Sequence, residues 1–221
     1  MAGTGAASFT HPDQSLTDKA YREIEELVVT LQLPPGMVLS EQALSLRLGI
    51  GRTPIREALH RLARNGLVSI LPRRGVLVSE IDLRAQLRLL EVRRELERLL
   101  ARSAAERATI AERAEFSDLA TRMREAAALS DDMAFMRLDL RFNELVSSSS
   151  RNEFASRSMG LMHGLSRRFW YQHYREAADL PRTARLHADV AEAIAARDAG
   201  AAAEASDRLV AYIETFTRST L

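Results

Sequence analysis

The sequence contains no cysteine, and Lys19 is its only lysine. Without cysteine, the chain can form no disulfide, no thiolate nucleophile and no cysteine-ligated metal site. No apolar run approaches the roughly 20 residues that a transmembrane helix needs. The N-terminal residues lack a basic segment followed by an apolar one, so we expect no secretory signal there. These absences favour a protein of the cytoplasm with no membrane partner.

Positive charge is concentrated in one part of a nearly neutral chain. The formal net charge of the 221 residues is only +1. Between Arg47 and Arg74, however, the sequence has seven arginines and one glutamate. Such a basic patch is typical of a DNA-binding module. Because the charge is carried by guanidinium groups, it favours bidentate hydrogen bonds to phosphates or base edges.

A helix, a short turn and a second helix are predicted between residues 40 and 66. The apolar residues Ile55, Leu59 and Leu62 of the second helix recur at helical spacing, so they can pack on a core. Arg52 and Arg56 lie one turn apart and share another face of that helix. Arginines near the start of a short helix suit the major groove of DNA, where they reach guanine edges or phosphates.

The start of the second helix has its own signals. Thr53 is expected to cap the helix N-terminus, and Pro54 would then occupy a first-turn position that tolerates proline. This places both residues at the end of the helix that would face DNA.

A small hairpin is predicted directly after the second helix. Residues 67–71 and 76–79 are strand-like runs, and the turn between them is Pro72-Arg73-Arg74-Gly75. Gly75 can adopt positive φ there. The two arginines at the tip can enter a minor groove or bind phosphates. For the arginine pair considered alone, the alternative is a solvated turn with incidental charge.

The remaining pattern is helical and predicts a mainly α fold. Residues 16–32 have an apolar face of helical period, and the Pro-Pro-Gly sequence at 34–36 ends that helix. From residue 83 onward, alanine, leucine, arginine and glutamate favour helix throughout. We therefore predict a flexible tail over residues 1–14, a winged helix-turn-helix over 15–80, and an all-α bundle of about six helices over 81–221.

Polar residues on apolar helix faces mark a candidate site in the bundle. Asp139 and Asn143 lie one turn apart beside apolar residues, and a carboxylate there needs a compensating partner. His187 is expected to point inward, and Arg93 lies among leucines. Two ordinary alternatives remain: His187 is a core histidine, or Asp139 pairs with Arg93 or Arg141.

Residues 16–80 resemble the winged helix-turn-helix of GntR-type bacterial transcription regulators. The resemblance is carried by Pro34-Pro35-Gly36, by Leu39-Ser40-Glu41, by the run from Arg52 to Leu59, and by Gly75. It implies that a set of polar residues on the two helices and the wing contacts DNA: Gln42, Arg52, Thr53, Arg56, Arg73 and Arg74.

Residues 83–221 resemble the helical effector domain, called FCD, of the FadR subgroup of that family, and their length resembles its VanR-like branch. Many such domains hold a divalent metal through one Asp and three His. Here Asp139 and His187 match, but Asn143 stands in place of the first histidine and Leu209 in place of the last. We therefore expect a metal-free or weakly metallated pocket, although His163 or His173 could substitute.

The resemblance implies a ligand-responsive regulator, a repressor, that binds double-stranded operator DNA as a homodimer. A small carboxylate would be its effector, held by Arg93, Asp139, Arg141, Asn143 and His187. Phe142 or Trp170 would close the apolar side. Two alternatives stay open, namely a metal-dependent helical-bundle enzyme and a DNA-binding protein without an effector.

Overall fold

The computed structural model describes residues 15–177 and 180–220, and for residues 174–177 it describes the backbone alone. The tail expected over residues 1–14 lies outside these residues. The chain divides into two units: one extends to Ser79, and the other begins at Glu80 and also includes residues 29–31.

The first unit combines three helices with a small antiparallel sheet. Its elements are α1 (Leu16–Val29), β1 (Val38–Leu39), α2 (Glu41–Leu48), α3 (Arg52–Arg64), β2 (Val68–Leu71) and β3 (Gly75–Val78). The strand order is β1-β3-β2. This is the winged helix-turn-helix expected from the sequence, with β1 as an additional strand.

Local signals explain the two central helices. The Ser40 hydroxyl caps α2 by accepting from the Ala43 N–H, and Gly49 ends α2 at a φ of 65°. Helix α3 buries Ile55, Leu59 and Leu62 in the core of the unit, as their spacing indicated. Each buried aliphatic side chain of this size contributes about 1.5–3 kcal/mol.

The expected cap of α3 is wrong. The helix begins at Arg52 with Gly51 before it, so Thr53 is already inside the first turn. Glycine offers no side chain for capping, and the first N–H groups of α3 are therefore left for other acceptors.

The wing depends on glycine at its tip. Leu71 pairs with Gly75, which has a φ of 100°, so the expectation of positive φ is confirmed. A Cβ atom at Gly75 would lie 3.1 Å from the Leu39 carbonyl oxygen of the neighbouring strand β1. Arg73 also has positive φ, at 62°, directly after Pro72 in the turn.

The described residues of the second unit form six helices, in agreement with the sequence. They are α4 (Leu83–Arg107), α5 (Ile110–Leu129), α6 (Asp132–Ser149), α7 (Glu153–Ala177), α8 (Leu180–Ala195) and α9 (Ala199–Ser219). Side-chain caps begin five of them, at Asp82, Thr109, Asp131, Asn152 and Asp198. At Thr109 the cap is reciprocal, because Glu112 also accepts from the Thr109 N–H.

Helix packing in the second unit encloses one long core. Helix α5 lies against α8, and α4 lies against α9 and α7. Phe116, Leu119 and Met123 of α5 are fully or almost fully buried. Among the described residues, no helix has the length and apolar character needed to cross a membrane. Charged side chains remain inside this core, and they mark the candidate site.

Candidate functional site

The first surface of interest is formed by α2, α3 and the wing. Gln42 of α2 and Arg52, Thr53 and Arg56 of α3 are all exposed. The residues of α3 among them are exposed because the apolar residues on the opposite face of that helix pack on the core. The structure therefore presents the polar residues of both helices to solvent.

The carboxylate of Glu41 on α2 forms hydrogen bonds with Arg56 on α3. Arg56 donates from Nε to Oε1 of Glu41 and from Nη2 to Oε2, both at 2.9 Å. Nη2 of Arg52 lies 3.8 Å from the same carboxylate. The hydrogen bond from Arg56 and its charge hold the pKa of Glu41 below its ordinary value. Glu41 therefore stays ionised and ties both arginines to the start of α2.

Arg73 and Arg74 lie at the tip of the hairpin and are exposed. Arg73 occupies a turn position with positive φ, which arginine adopts less readily than glycine. The two guanidinium groups carry the only charges in the turn between β2 and β3. The wing thus places two cations at the end of a short hairpin.

The second candidate site consists of two adjoining cavities inside the helical unit. A cavity of about 50 Å³ lies between α4, α6, α7, α8 and α9. A smaller cavity of about 30 Å³ adjoins it, and four residues line both. The shared residues are Arg93, Asn143, His163 and His187. Titratable and amide groups thus lie where the two cavities meet.

Asp139 and His187 form the centre of this site. His187 Nε2 lies 3.2 Å from Asp139 Oδ1, and His187 Nδ1 lies 2.9 Å from the Thr183 carbonyl oxygen. Asn143 donates to Asp139 Oδ1 at 2.9 Å and to the Asp139 carbonyl oxygen at 2.8 Å. Both ring nitrogens of His187 therefore face acceptors, which matches an imidazolium with two N–H donors.

Burial and pairing act in opposite directions on this pair. Burial raises the pKa of Asp139, but the hydrogen bond and charge of His187 outweigh it and leave that pKa below its ordinary value. Burial lowers the pKa of His187, and the hydrogen bond with Asp139 outweighs it, so the His187 pKa is raised. For His163, burial and then the charge of Arg93 lower the pKa to about 4. His163 is therefore neutral near pH 7.

Two arginines expected in the effector site are placed differently. Arg93 lines the cavity, but Glu97 already neutralises it, because Arg93 Nε lies 2.6 Å from Glu97 Oε1. Arg93 therefore has a counter-ion without any ligand. Arg141 does not line this cavity: it is exposed, and its Nε donates to Glu115 at 2.6 Å.

The donor set does not fit a tightly held transition metal. Among the side chains of residues 15–173 and 180–220, no three of His, Cys, Asp or Glu lie close enough together to hold an ion. Leu209 is buried beside the smaller cavity and offers no ligand atom. The Asn143 amide nitrogen faces Asp139, and both His187 nitrogens face acceptors. This arrangement matches a closed hydrogen-bond network.

The sequence did not single out several cavity residues. Gln86, Ser166 and Arg167 line the larger cavity, and each has a buried donor nitrogen or hydroxyl without a hydrogen-bond partner among the described residues. Arg167 follows His163 by one helical turn, and this spacing is a sequence signal for their proximity. Similarly, Glu97 follows Arg93 by four residues, and that spacing predicts an ion pair.

Comparison with known proteins adds to this geometry. Residues 16–78 match the model of the bacterial regulatory proteins of the gntR family, and residues 88–212 match the FCD domain model. The second match alone spans more than half of the chain. The chain belongs to the GntR family of regulators that carry an FCD domain. It is a ligand-responsive, DNA-binding transcription regulator.

Individual proteins to which this chain is similar are also transcription regulators. The HTH-type transcriptional repressor RspR of Escherichia coli is 29% identical over 192 residues, which cover 86% of this chain and 84% of RspR. The HTH-type transcriptional regulator McbR of Escherichia coli is 30% identical over 131 residues, covering 59% of this chain and 58% of McbR.

Solved structures show the same fold. The structure of Escherichia coli McbR/YncC superposes with a TM-score of 0.78 at 21% identity, covering 94% of this chain and 99% of that one. A GntR regulator from Rhodococcus superposes with a TM-score of 0.63 at 20% identity, covering 94% and 100%.

Proposed function

We propose that this regulator is a repressor that binds a palindromic operator as a homodimer and responds to a small carboxylate in its helical unit. The observation that carries the proposal is the pairing of an exposed arginine surface in one unit with a cavity lined by Arg93 and Arg167 in the other. RspR is named a repressor, which supports the sign of regulation. We propose the cytoplasm as its compartment, because operator DNA lies there.

The proposed DNA-reading surface is Gln42, Arg52, Thr53 and Arg56 with the wing. The start of α3 has no side-chain cap, so its first N–H groups can also bind a phosphate. Guanidinium groups on the same face can form paired hydrogen bonds with guanine. A single winged helix reads one half-site, and this is the reason to propose a homodimer.

The proposed effector site is the larger cavity. Arg93, Asp139, Asn143 and His187 line this cavity, and Trp170 adds an aromatic wall. Arg141 is left out of the proposal because it lies outside this cavity. An effector that binds here would change operator affinity, and operator binding would change effector affinity by the same factor.

Two measurements test this proposal together. Selection of bound fragments from genomic DNA should yield a palindrome, and sedimentation should give one dimer per site. Fractionated metabolite pools should contain an acid that raises the thermal midpoint of the protein and lowers its operator affinity. If no pool does either, the protein binds DNA without an effector. Turnover of a pool component would instead support the enzyme alternative, which the regulator relatives disfavour.

A further inference from the structure

Three buried donors without partners lie around the larger cavity. They are Nε2 of Gln86, Oγ of Ser166 and Nε of Arg167. Gln86 is 5% exposed and Ser166 is 8% exposed, so neither side chain is well hydrated. A buried donor without an acceptor is unfavourable, because it has lost its hydrogen bonds to water. Three of them at one cavity indicate that the molecule bound there supplies acceptor oxygens.

One cationic side chain at the larger cavity, that of Arg167, has no counter-ion among the residues that the structure describes. Arg93 pairs with Glu97, and His187 pairs with Asp139. No carboxylate in the described part of the chain lies within ion-pair distance of Arg167. The charge of Arg167 is near enough to Asp139 to lower the pKa of that carboxyl group. Oδ1 of Asp139, however, is already bound by His187 and Asn143. The cavity therefore carries a net charge of one positive unit.

The cavity also limits the size and character of a ligand. Its volume of about 50 Å³ compares with the 10–15 Å³ that one water requires, so a ligand has only a handful of heavy atoms. The rest of the wall is apolar and aromatic: Phe135, Met136, Trp170, Ile213 and Phe216. A compact molecule with one polar end and one short apolar end satisfies both parts of this wall.

We propose that Arg167, together with Gln86 and Ser166, binds the carboxylate of a small monoanionic acid whose apolar remainder lies against Phe135 and Trp170. This rests on the proposed function of the cavity, and it assigns the anion to Arg167 in place of Arg93. A second carboxylate on the ligand would meet Asp139 in this cavity without a spare cation. A buried, unpaired carboxylate is strongly unfavourable, so dicarboxylates are excluded.

The test compares butyrate, butyramide and succinate, which have chains of similar length and charges of minus one, zero and minus two. We expect butyrate to raise the thermal midpoint of the full chain, because binding to the folded state stabilises it. Butyramide and succinate should raise it much less. Replacing Arg167→Gln should weaken butyrate binding about ten- to a hundred-fold, as for loss of a charged hydrogen bond.

Matched variants separate this role from general damage. Arg141→Gln removes an arginine outside the cavity and should leave butyrate affinity unchanged. Arg167→Lys keeps the charge and should retain part of the affinity, and it serves as the binding test if Arg167→Gln does not fold. Equal butyrate affinity in Arg167→Gln, stronger binding of succinate, or binding of none of the three overturns the monoanion assignment. If a dicarboxylate nevertheless releases operator DNA, the proposed function survives without that assignment, whereas release by a neutral metabolite alone would overturn both.

A second inference rests on a different observation, the carboxylate of Glu41 between the two DNA-facing helices. Arginine has five N–H donors. Glu41 occupies Nε and one donor of Nη2 on Arg56. The two Nη1 donors and the other Nη2 donor remain on the outer edge of the guanidinium. That edge can make the two parallel bonds that recognise guanine.

We infer that Glu41 is a positioning residue for operator discrimination. By holding Arg56 from one side, it reduces the rotamer freedom that must be lost when the free edge meets a base. Glu41 is itself about one quarter exposed, with a side-chain value of 26%. The contact therefore lies at the surface, where removing it alters recognition more than folding.

Glu41→Gln is the test, and Glu57→Gln is its control. Glu57 is an exposed carboxylate on α3, the helix that carries Arg56. Glu57 accepts a hydrogen bond from Thr17 and not from an arginine. We expect Glu41→Gln to weaken operator binding by several-fold while non-operator binding at the same salt stays equal or rises. Glu57→Gln should leave the ratio of the two affinities unchanged. A parallel rise of both affinities in Glu41→Gln would mean that Glu41 only repels phosphate, and an unchanged ratio likewise overturns the inference.

Discussion

Replacing His187→Ala removes one half of a buried ion pair from the centre of the helical unit. The His187 side chain is 9% exposed and that of Asp139 is 14% exposed. Breaking such a pair costs about 3–5 kcal/mol, because the remaining charge stays buried. Asn143 still donates to Asp139 in the variant, which favours the lower end of that range.

Ring contacts add to this cost. The His187 ring packs edge-on against Phe135 at 5.3 Å and against Phe142 at 5.8 Å. Each contact of this kind contributes about 0.5–1.5 kcal/mol beyond burial. We therefore expect His187→Ala to lower the free energy of unfolding by about 4 kcal/mol. In a chain of this size, that corresponds to a fall of roughly 8–16 °C in the thermal midpoint.

A double-mutant cycle isolates the ion pair. Asp139→Asn alone should cost about 3 kcal/mol, and the double variant should cost about 4–5 kcal/mol, well below the sum of the single variants. The assay is denaturant unfolding of the three variants and the wild type. The exposed pair Arg122 and Asp118 serves as a control, since Arg122→Ala should change stability by less than about 1 kcal/mol.

The sign of the pH dependence gives an independent check. The pKa of Asp139 is lowered, so its contribution is present above the ordinary value of 3.8 and is lost as pH falls through the folded pKa. The pKa of His187 is raised, so its contribution is complete below 6.5 and is lost as pH rises through the folded pKa. The advantage of wild type over the double variant should therefore be greatest between these values. Additive single costs, or an advantage that grows above pH 7, would refute the pairing.

Four further outcomes are expected. Arg56→Ala should weaken operator binding about ten- to a hundred-fold and relax base preference if it contacts a base, as binding competitions between related sequences would report. Arg74→Ala should weaken operator and non-operator binding alike and reduce the slope of log affinity against log salt by about one, and unchanged affinity would remove the wing from the reading surface. Gly75→Ala should destabilise the first unit by about 1–3 kcal/mol, because φ is 100° and the Leu39 carbonyl oxygen would lie 3.1 Å from the added Cβ; an unchanged unfolding midpoint would contradict this. Elemental analysis of protein purified without a histidine tag should show far less than one transition metal per chain, and near one equivalent that disappears in His187→Ala would show that the pocket binds metal.

The elements of the fold were largely predictable because their signals are local. Helical periodicity placed Ile55, Leu59 and Leu62 in a core, and helix-favouring composition indicated six helices after residue 83. The wing followed from two strand-like runs and a glycine. Strand β1 was missed because two residues carry no periodicity, and only pairing with β3 makes them a strand.

Within the candidate site, spacing along one helix was informative. Asp139 and Asn143 were expected to lie one turn apart, and their side chains form a hydrogen bond. The ion pair of Arg93 with Glu97 has the same spacing, although it was overlooked in favour of an external anion. Intrahelical neighbours are determined by 3.6 residues per turn, so the sequence contains them whatever the surrounding fold.

The sequence by itself determined which residues share a helix face, where most helices begin and end, and the family to which the chain belongs. Tertiary structure alone decided which faces meet. Asp139 meets His187 from another helix, Arg141 turns to Glu115 outside the cavity, and Arg167 enters the cavity without a carboxylate partner. The physical reason is that ion pairs between helices depend on the rotation and packing of each helix about its axis, which are set by the whole core and not by any local spacing.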